Sequence, residues 1–311
     1  MSRAAPRAVV FAYHNVGVRC LSVLLAHGVD VALVVTHEDN PQERIWFASV
    51  AGLAQMHGIP VATPDDPNDS AMFGRIADLR PEFLFSFYYR HMLKPYLLAL
   101  AARGAYNMHG SLLPRYRGRV PVNWAVIRGE RETGATLHEM VEKPDAGMIV
   151  GRQAVPILPD DTAVDVFAKV TVAAELVLDR WLPALIDGTA PRLPQDLAAG
   201  SYFGGRKPED GRIDWRDAAA HVHNLIRGVA PPYPGAFSDL PGGRLRLLRS
   251  LHPTGERGPH PAPALFARGA GIYVQCGDGL LLRIVEAELN GAPLAPDSPG
   301  MRAGLPLPLH S

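Results

Sequence analysis

Two polar residues of different chemistry stand two positions apart in the run Tyr106-Asn107-Met108-His109. The run reads as a strand, and in a strand residues i and i+2 point to one face. Asn107 and His109 then present a carboxamide and an imidazole side by side at a strand's carboxyl end. The pair suits attack on a carbonyl. An amide N–H can hold the oxyanion of a tetrahedral intermediate, and histidine moves protons near neutral pH. A satisfied polar cap on a strand end accounts for the same two residues. Ser111 follows in the loop, but without the G-x-S-x-G elbow of a nucleophilic serine.

Asp145 offers a carboxylate, in a Lys143-Pro144-Asp145-Ala146-Gly147 turn between two strand-like runs. Beside an imidazole it would favour the charged ring; a turn-forming aspartate is the other reading. Arg115, Arg117 and Arg119 sit in a loop bounded by Gly and Pro, suited to a carboxylate or phosphate, or else simply solvated. Tyr13, His14 and Asn15 form a polar cluster in "FAYHNVG", where an α/β protein binds ligands; a strand-to-helix cap through Asn15 is the alternative. That stretch is not a G-x-G-x-x-G turn, so a nicotinamide or flavin dehydrogenase is not expected. Of the 12 histidines, His221 and His223 are the closest pair, but i and i+2 on a helix do not share a face. No metal is expected.

The elements that must carry these residues alternate. Residues 8–13, 29–36, 61–62, 83–89 and 105–109 read as strands, and 18–27, 45–57, 70–79 and 95–102 as the helices between them. This predicts an α/β, doubly wound, mainly parallel sheet with helices on both faces. A helix at 122–129, strands at 135–141 and 148–157, and a helix from 163 to 186 with Asp160, Asp161 or Thr162 as its cap complete a first domain, residues 1–190. Residues 191–206 shift to Pro, Gly and small polar residues and read as a linker. A helix at 218–228 and strands at 245–250, 271–276 and 280–286, the last two joined by Gly277-Asp278-Gly279, predict a small β-barrel-like domain over 207–305. Residues 306–311 read as a tail.

At 311 residues the chain has ample core, and 31 basic against 31 acidic residues give no global field to gather nucleic acid. Two cysteines cannot make a disulfide framework. The apolar run at the start is shorter than a signal peptide's, and no stretch approaches the about 20 apolar residues of a membrane span. The cytoplasm is the expected compartment.

Asn107-Met-His109-Gly-Ser-Leu-Leu-Pro114, followed by Tyr116-Arg-Gly118, Pro121 and Asp145-Ala-Gly147, resembles the folate-dependent formyltransferases. Further stretches, "VVFAYHNVG", "THEDNP", "FSFYYRHML", "FGGRKPEDGRIDW", "HNLIRGVAPPYPGAFS" and "CGDG", are most similar to the branch found within bifunctional polymyxin-resistance proteins. The resemblance spans almost the whole chain. It implies a Rossmann-like catalytic domain and an OB-like carboxyl-terminal domain. It also implies transfer of a formyl group from the co-substrate 10-formyltetrahydrofolate to the 4-amine of UDP-4-amino-4-deoxy-L-arabinose, a step of lipid A modification. By the same resemblance His109 is the acid/base, Asn107 stabilises the tetrahedral state and Asp145 keeps His109 charged. His91, Met92, Leu93, Arg119, Val141, Glu142, Lys143 and Pro144 are implied to contact folate, and Tyr13, His14 and Asn15 the UDP-amino-sugar. The decarboxylase fused to the longer relatives is expected as a separate protein, and the sequence implies no particular oligomer. A tRNA-directed member of the family, or one acting on another amino nucleotide-sugar, is the alternative. Against tRNA, the region after the second strand, "THEDNPQERIWF", is short and acidic.

Overall fold

A computed structural model describes residues 5–41 and 45–308. The chain divides into two compact units: Met1–Pro121, Thr133–Val155 and Ala168–Phe203 form the first, and Val122–Glu132, Pro156–Phe167 and Gly204–Ser311 the second. The segment 309–311, the end of the expected tail, lies outside the described residues.

The first unit is built on a seven-stranded sheet. Its strands are β1 (Arg7–Ala12), β2 (Asp30–Val35), β3 (Val61–Ala62), β4 (Phe83–Phe87), β5 (Ala105–His109), β7 (Glu132–Glu139) and β8 (Ile149–Pro156), in the order β3-β2-β1-β4-β5-β7-β8. A two-residue strand β6 (Arg117–Gly118) lies between β5 and β7 in sequence and pairs elsewhere. Pairing is parallel from β3 through β5 and antiparallel between β5 and β7. The central strands are runs such as "FLFSF", buried along their whole length, as strands covered on both faces must be. Order reverses at β1, which has β2 on one side and β4 on the other, so a ligand crevice belongs at the carboxyl ends of these strands.

The helices are α1 (His14–Ala26), α2 (Val50–Met56), α3 (Ser70–Leu79), α4 (Pro95–Leu98), α5 (Pro121–Ile127), α6 (Ala163–Asp187) and α7 (Ala219–Gly228). The helix expected over 45–57 begins at Val50 because Ser49 caps it, accepting from the Gly52 N–H. Thr162 caps α6: its hydroxyl accepts from the Asp165 N–H, while the Asp165 carboxylate accepts from the Thr162 N–H. Val9, Phe11, Leu33, Leu84, Ile76 and Leu97 form one core cluster on the sheet.

The stretch 191–206 is not a free linker. Leu193 bridges to Ile149, and β9 (Tyr202–Phe203) pairs in parallel with β6. Turn-rich composition marks irregular backbone, which here is docked rather than loose.

The second unit is an antiparallel sheet of β10 (Ala236–Leu240), β11 (Gly243–Ser250), β12 (Ala264–Arg268), β13 (Gly271–Gln275), β14 (Leu281–Leu289), β15 (Ala292–Pro293) and β16 (Leu305–Pro306). The path runs β10-β11-β14-β13-β12-β16, with β15 on β14. Its core holds Trp215, whose indole N–H donates to the Ser238 hydroxyl at 3.0 Å. Buried His223 donates from Nε2 to the Pro159 carbonyl at 2.9 Å, and its Nδ1 lies 2.8 Å from the Ser250 hydroxyl. The start of the expected tail is paired too, Pro306 standing opposite Ala264.

Candidate active site

The structure brings Asn107, His109 and Asp145 together. Asn107 and His109 share a face at the end of β5, and Nδ1 of His109 lies 3.5 Å from Oδ1 of Asp145. The His109 Nε2–H donates to the Tyr116 carbonyl at 2.8 Å. That bond fixes the ring, with Nδ1 toward the carboxylate. His109 is 6% exposed.

Asp145 sits at φ +52, a left-handed turn that aspartate tolerates. Its Oδ2 accepts the Gly118 N–H at 2.8 Å. Burial pushes the Asp145 carboxyl up, but the imidazoles of His109 and His138 and the Gly118 N–H outweigh it and hold the group well below the usual carboxylate range. The site therefore keeps a half-buried negative charge among imidazoles.

Two glycines make this geometry possible. Gly118 has φ +97, and a Cβ there would meet the Phe203 carbonyl oxygen at 2.2 Å. At Gly147 a Cβ would meet the Glu139 carbonyl oxygen at 2.0 Å, so only glycine lets the Asp145 turn lie against the end of β7.

The segment after Leu193 closes the site from behind. The Gln195 carboxamide donates to the carbonyls of Asp145 at 3.0 Å and Gly147 at 2.7 Å. Ser201 accepts the Tyr116 N–H at 2.8 Å, and the Tyr116 ring stacks on Phe203 with centroids 5.1 Å apart. Arg117 is buried with its guanidinium on the Leu197 carbonyl, whereas Arg115 and Arg119 are exposed. The basic loop is thus one structural arginine between two at the surface.

The residues expected to hold folate are placed unequally. Arg119 donates to the Arg90 carbonyl at 3.3 Å, tying its loop to the segment that carries His91. His91 and Met92 are exposed, as are Val141, Glu142 and Lys143, while Pro144 is half-buried. Leu93 belongs to the core at 7% exposure, so it can offer a ligand only backbone.

Tyr13, His14 and Asn15 lie at the end of β1 among rings. Tyr13 is buried, its hydroxyl donating to Asp39 at 2.8 Å with the Arg90 guanidinium 4.8 Å above its ring. His14 packs on Phe47 at 3.9 Å and edge-on to Trp46. Asn15 is not the helix cap: its carboxamide oxygen accepts the Ala48 N–H at 2.8 Å. His37 stacks on Tyr89 at 4.2 Å. Burial, and then the nearby Arg90, lower His14 to about 3; burial, His91 and Arg90 lower His37 to about 4. Both rings are neutral at pH 7 and present apolar faces.

His138, Gln195 and Ser201 escaped the sequence reading. His138 is 1% exposed on β7, its Nε2 3.1 Å from Nδ2 of Asn107 and 3.5 Å from Oδ1 of Asp145. The sequence signal was a histidine near the end of the strand "ETGATLHE", opposite Asn107 only if β5 and β7 run antiparallel in this register. Gln195 left no signal, since its neighbours are ordinary turn residues. A cavity of about 410 Å³ lined by Arg103, Tyr106, Glu139 and Arg192 opens at the other end of β5 and touches neither Asn107 nor His109. Among the described residues no group of three His, Cys, Asp or Glu is arranged to hold a metal ion, and no helix is long and apolar enough to cross a membrane.

Two family models match the chain: formyl transferase over residues 19–182, and formyl transferase, C-terminal domain, over residues 206–297. Among solved structures, the chain is similar to an N-formyltransferase from Helicobacter canadensis in complex with folinic acid and dTDP-3-aminofucose. The two share 20% identity at a TM-score of 0.73, over 90% of this chain and 98% of that one. It is also similar to WlaRD, a sugar 3N-formyl transferase in the presence of dTDP and 5-N-formyl-THF, at 18% identity and TM-score 0.71, over 91% and 98%. HypX from Aquifex aeolicus in complex with tetrahydrofolic acid matches at 18% identity and TM-score 0.63, over 91% of this chain but 44% of that longer one.

Proposed function

This chain belongs to the formyl transferase family, and from that premise we propose that it moves a formyl group from 10-formyltetrahydrofolate to the amine of a nucleotide-linked sugar. The observation that carries the mechanism is the half-buried Asp145 carboxylate 3.5 Å from His109, with Asn107 two residues from His109 on the same strand face. The neutral amine attacks the formyl carbon and the carbonyl π bond opens to an oxyanion. An Asn107 N–H holds that oxyanion. His109, charged beside Asp145, gives a proton to the folate nitrogen as the carbon–nitrogen bond to folate breaks, and takes back the proton that the attacking nitrogen sheds. Asp145 stabilises the charged ring before and after these steps. The products are the N-formyl sugar and tetrahydrofolate.

The acceptor we assign is UDP-4-amino-4-deoxy-L-arabinose, an assignment supported by the stretches from "VVFAYHNVG" to "CGDG". That acceptor would put the enzyme in lipid A modification and polymyxin resistance. The ring cluster of Tyr13, His14, His37 and Phe47 at the β1 end is where the nucleotide would lie. Folate would lie along Arg119, His91 and Met92 and the loop 141–144. The antiparallel small domain is read as OB-like. A second acceptor, a dTDP-linked amino sugar, is favoured by the ligands named for the two sugar formyltransferase structures. Equal numbers of basic and acidic residues argue against tRNA.

The test incubates the protein with 10-formyltetrahydrofolate and a panel of UDP- and dTDP-linked amino sugars and initiator methionyl-tRNA, reading formylation by mass spectrometry. Formylated UDP-4-amino-4-deoxy-L-arabinose is the expected product. A formylated tRNA alone would overturn the sugar assignment, and no formylated product would overturn the proposal.

A further inference from the structure

Asn107 can hold an oxyanion only if its N–H, not its carbonyl oxygen, faces the reacting carbon. A carboxamide is nearly symmetric in shape, so something must choose between the two ends. The choice is made across the sheet. Asn107 on β5 stands opposite His138 on β7 in the antiparallel register, and its Nδ2 is 3.1 Å from His138 Nε2. The other ring nitrogen, Nδ1, lies 2.8 Å from the Glu139 carbonyl, which can only accept. Nδ1 therefore carries the proton, and in the neutral ring Nε2 is an acceptor. Nε2 of His138 also lies 3.5 Å from Asp145 Oδ1, as does Nδ1 of His109, but the carboxamide nitrogen of Asn107 is its nearer partner at 3.1 Å.

We infer that His138 is a positioning residue: held as its Nδ1–H tautomer by the Glu139 carbonyl, it accepts one Asn107 N–H and so turns the second toward the formyl oxygen. The reversed amide would set its oxygen against the Nε2 lone pair and against the developing oxyanion. Burial of His138 at 1% exposure keeps water from supplying an alternative donor or acceptor. This role rests on the formyl-transfer reading above, because it acts through Asn107.

The experiment compares His138→Asn, His138→Gln, Asn107→Ala and the double variant His138→Asn/Asn107→Ala. The assay uses 10-formyltetrahydrofolate with whichever amino sugar nucleotide the panel shows to be formylated. Asparagine can reach the Glu139 carbonyl but not Asn107, whereas glutamine places an oxygen near the Nε2 position. His138→Asn should lose about tenfold or more in kcat, below the about 10²–10³-fold ceiling set by losing the donor itself, with KM for the folate little changed. His138→Gln should recover most of it. In the Asn107→Ala background His138→Asn should cost nothing further. Full additivity in the double variant, or equal activity of His138→Asn and wild type, overturns the inference while a crippled Asn107→Ala leaves the mechanism standing. An unimpaired Asn107→Ala overturns the mechanism itself.

A readout independent of turnover is ¹⁵N NMR of the histidine rings at pH 7. His138 should show a protonated Nδ1 and a bare Nε2 whose resonance moves in Asn107→Ala. A proton on Nε2 overturns the inference even in a preparation with no acceptor.

Discussion

The Gln195 side chain grips the turn that carries Asp145 by its main chain, donating to the Asp145 carbonyl at 3.0 Å and to that of Gly147 at 2.7 Å. The carboxylate thereby points at His109 from a backbone held in the left-handed region. Removing both bonds frees the turn without touching any reacting group. Gln195→Ala is expected to lower kcat by about tenfold, as small displacements at a catalytic centre do, with an unchanged far-UV spectrum. Steady-state kinetics on the folded variant check this; wild-type kcat would contradict it.

Replacing Asp145 by asparagine keeps the shape and removes the charge. The expected loss in kcat is about 10²-fold or more. The same variant reports on stability. The folded-state carboxyl titrates below its unfolded value, so its contribution is present above the unfolded value of about 4 and fades as pH falls toward the folded one. Urea titrations of wild type and Asp145→Asn should differ most at pH 7 and converge below about pH 4.

His223 gives the opposite sign. Burial, only partly offset by the Pro159 carbonyl, lowers its titration below the ordinary histidine value. A histidine that stays neutral when folded and charges when unfolded costs nothing above about pH 6.5 and destabilises progressively below it. His223→Gln keeps a polar group and loses the titration. The Tm of wild type should fall more steeply than that of the variant between pH 7.5 and 5, by a margin on the order of 3 °C.

Gly118→Ala is expected to be severe. The substitution forces a side chain into φ +97, and its Cβ would overlap the Phe203 carbonyl at 2.2 Å. Backbone strain alone costs roughly 1–3 kcal/mol, and the displaced N–H would leave Asp145 Oδ2 without its donor. Thermal unfolding and kcat should both fall, whereas Gly74→Ala in α3, half-buried but with nothing within 4 Å of the added Cβ, should leave kcat unchanged.

The convergence of Asn107, His109 and Asp145 was legible because the pattern is local. Asn107 and His109 are two apart on one strand, and the Asp145-Ala-Gly147 turn announces itself by residue type. The parallel part of the sheet followed from alternating strand and helix periods. What escaped depends on register and docking. His138 enters the site only because β7 runs antiparallel to β5 with Asn107 directly opposite, a pairing no single strand encodes. Gln195 and Ser201 lie in turn-rich sequence, which looks the same whether it floats or is clamped. Leu93, placed by resemblance among the folate contacts, has its side chain in the core, which local sequence does not reveal. β10 and β12 were missed because each is only five residues of mixed character between Gly- and Pro-rich turns.

The parts of the catalytic pocket are contributed in instalments along the chain. Gly118 meets Asp145 across 27 positions, Gln195 meets Asp145 across 50, and Tyr116 meets Ser201 across 85. Such distant closures come late, since each must first overcome the entropy of the loop it seals. A nascent chain with 150 residues emerged would hold Asn107, His109 and Asp145 but neither Gln195, which grips the Asp145 turn, nor Ser201, which holds Tyr116. The full set of braces exists only once translation has passed Phe203.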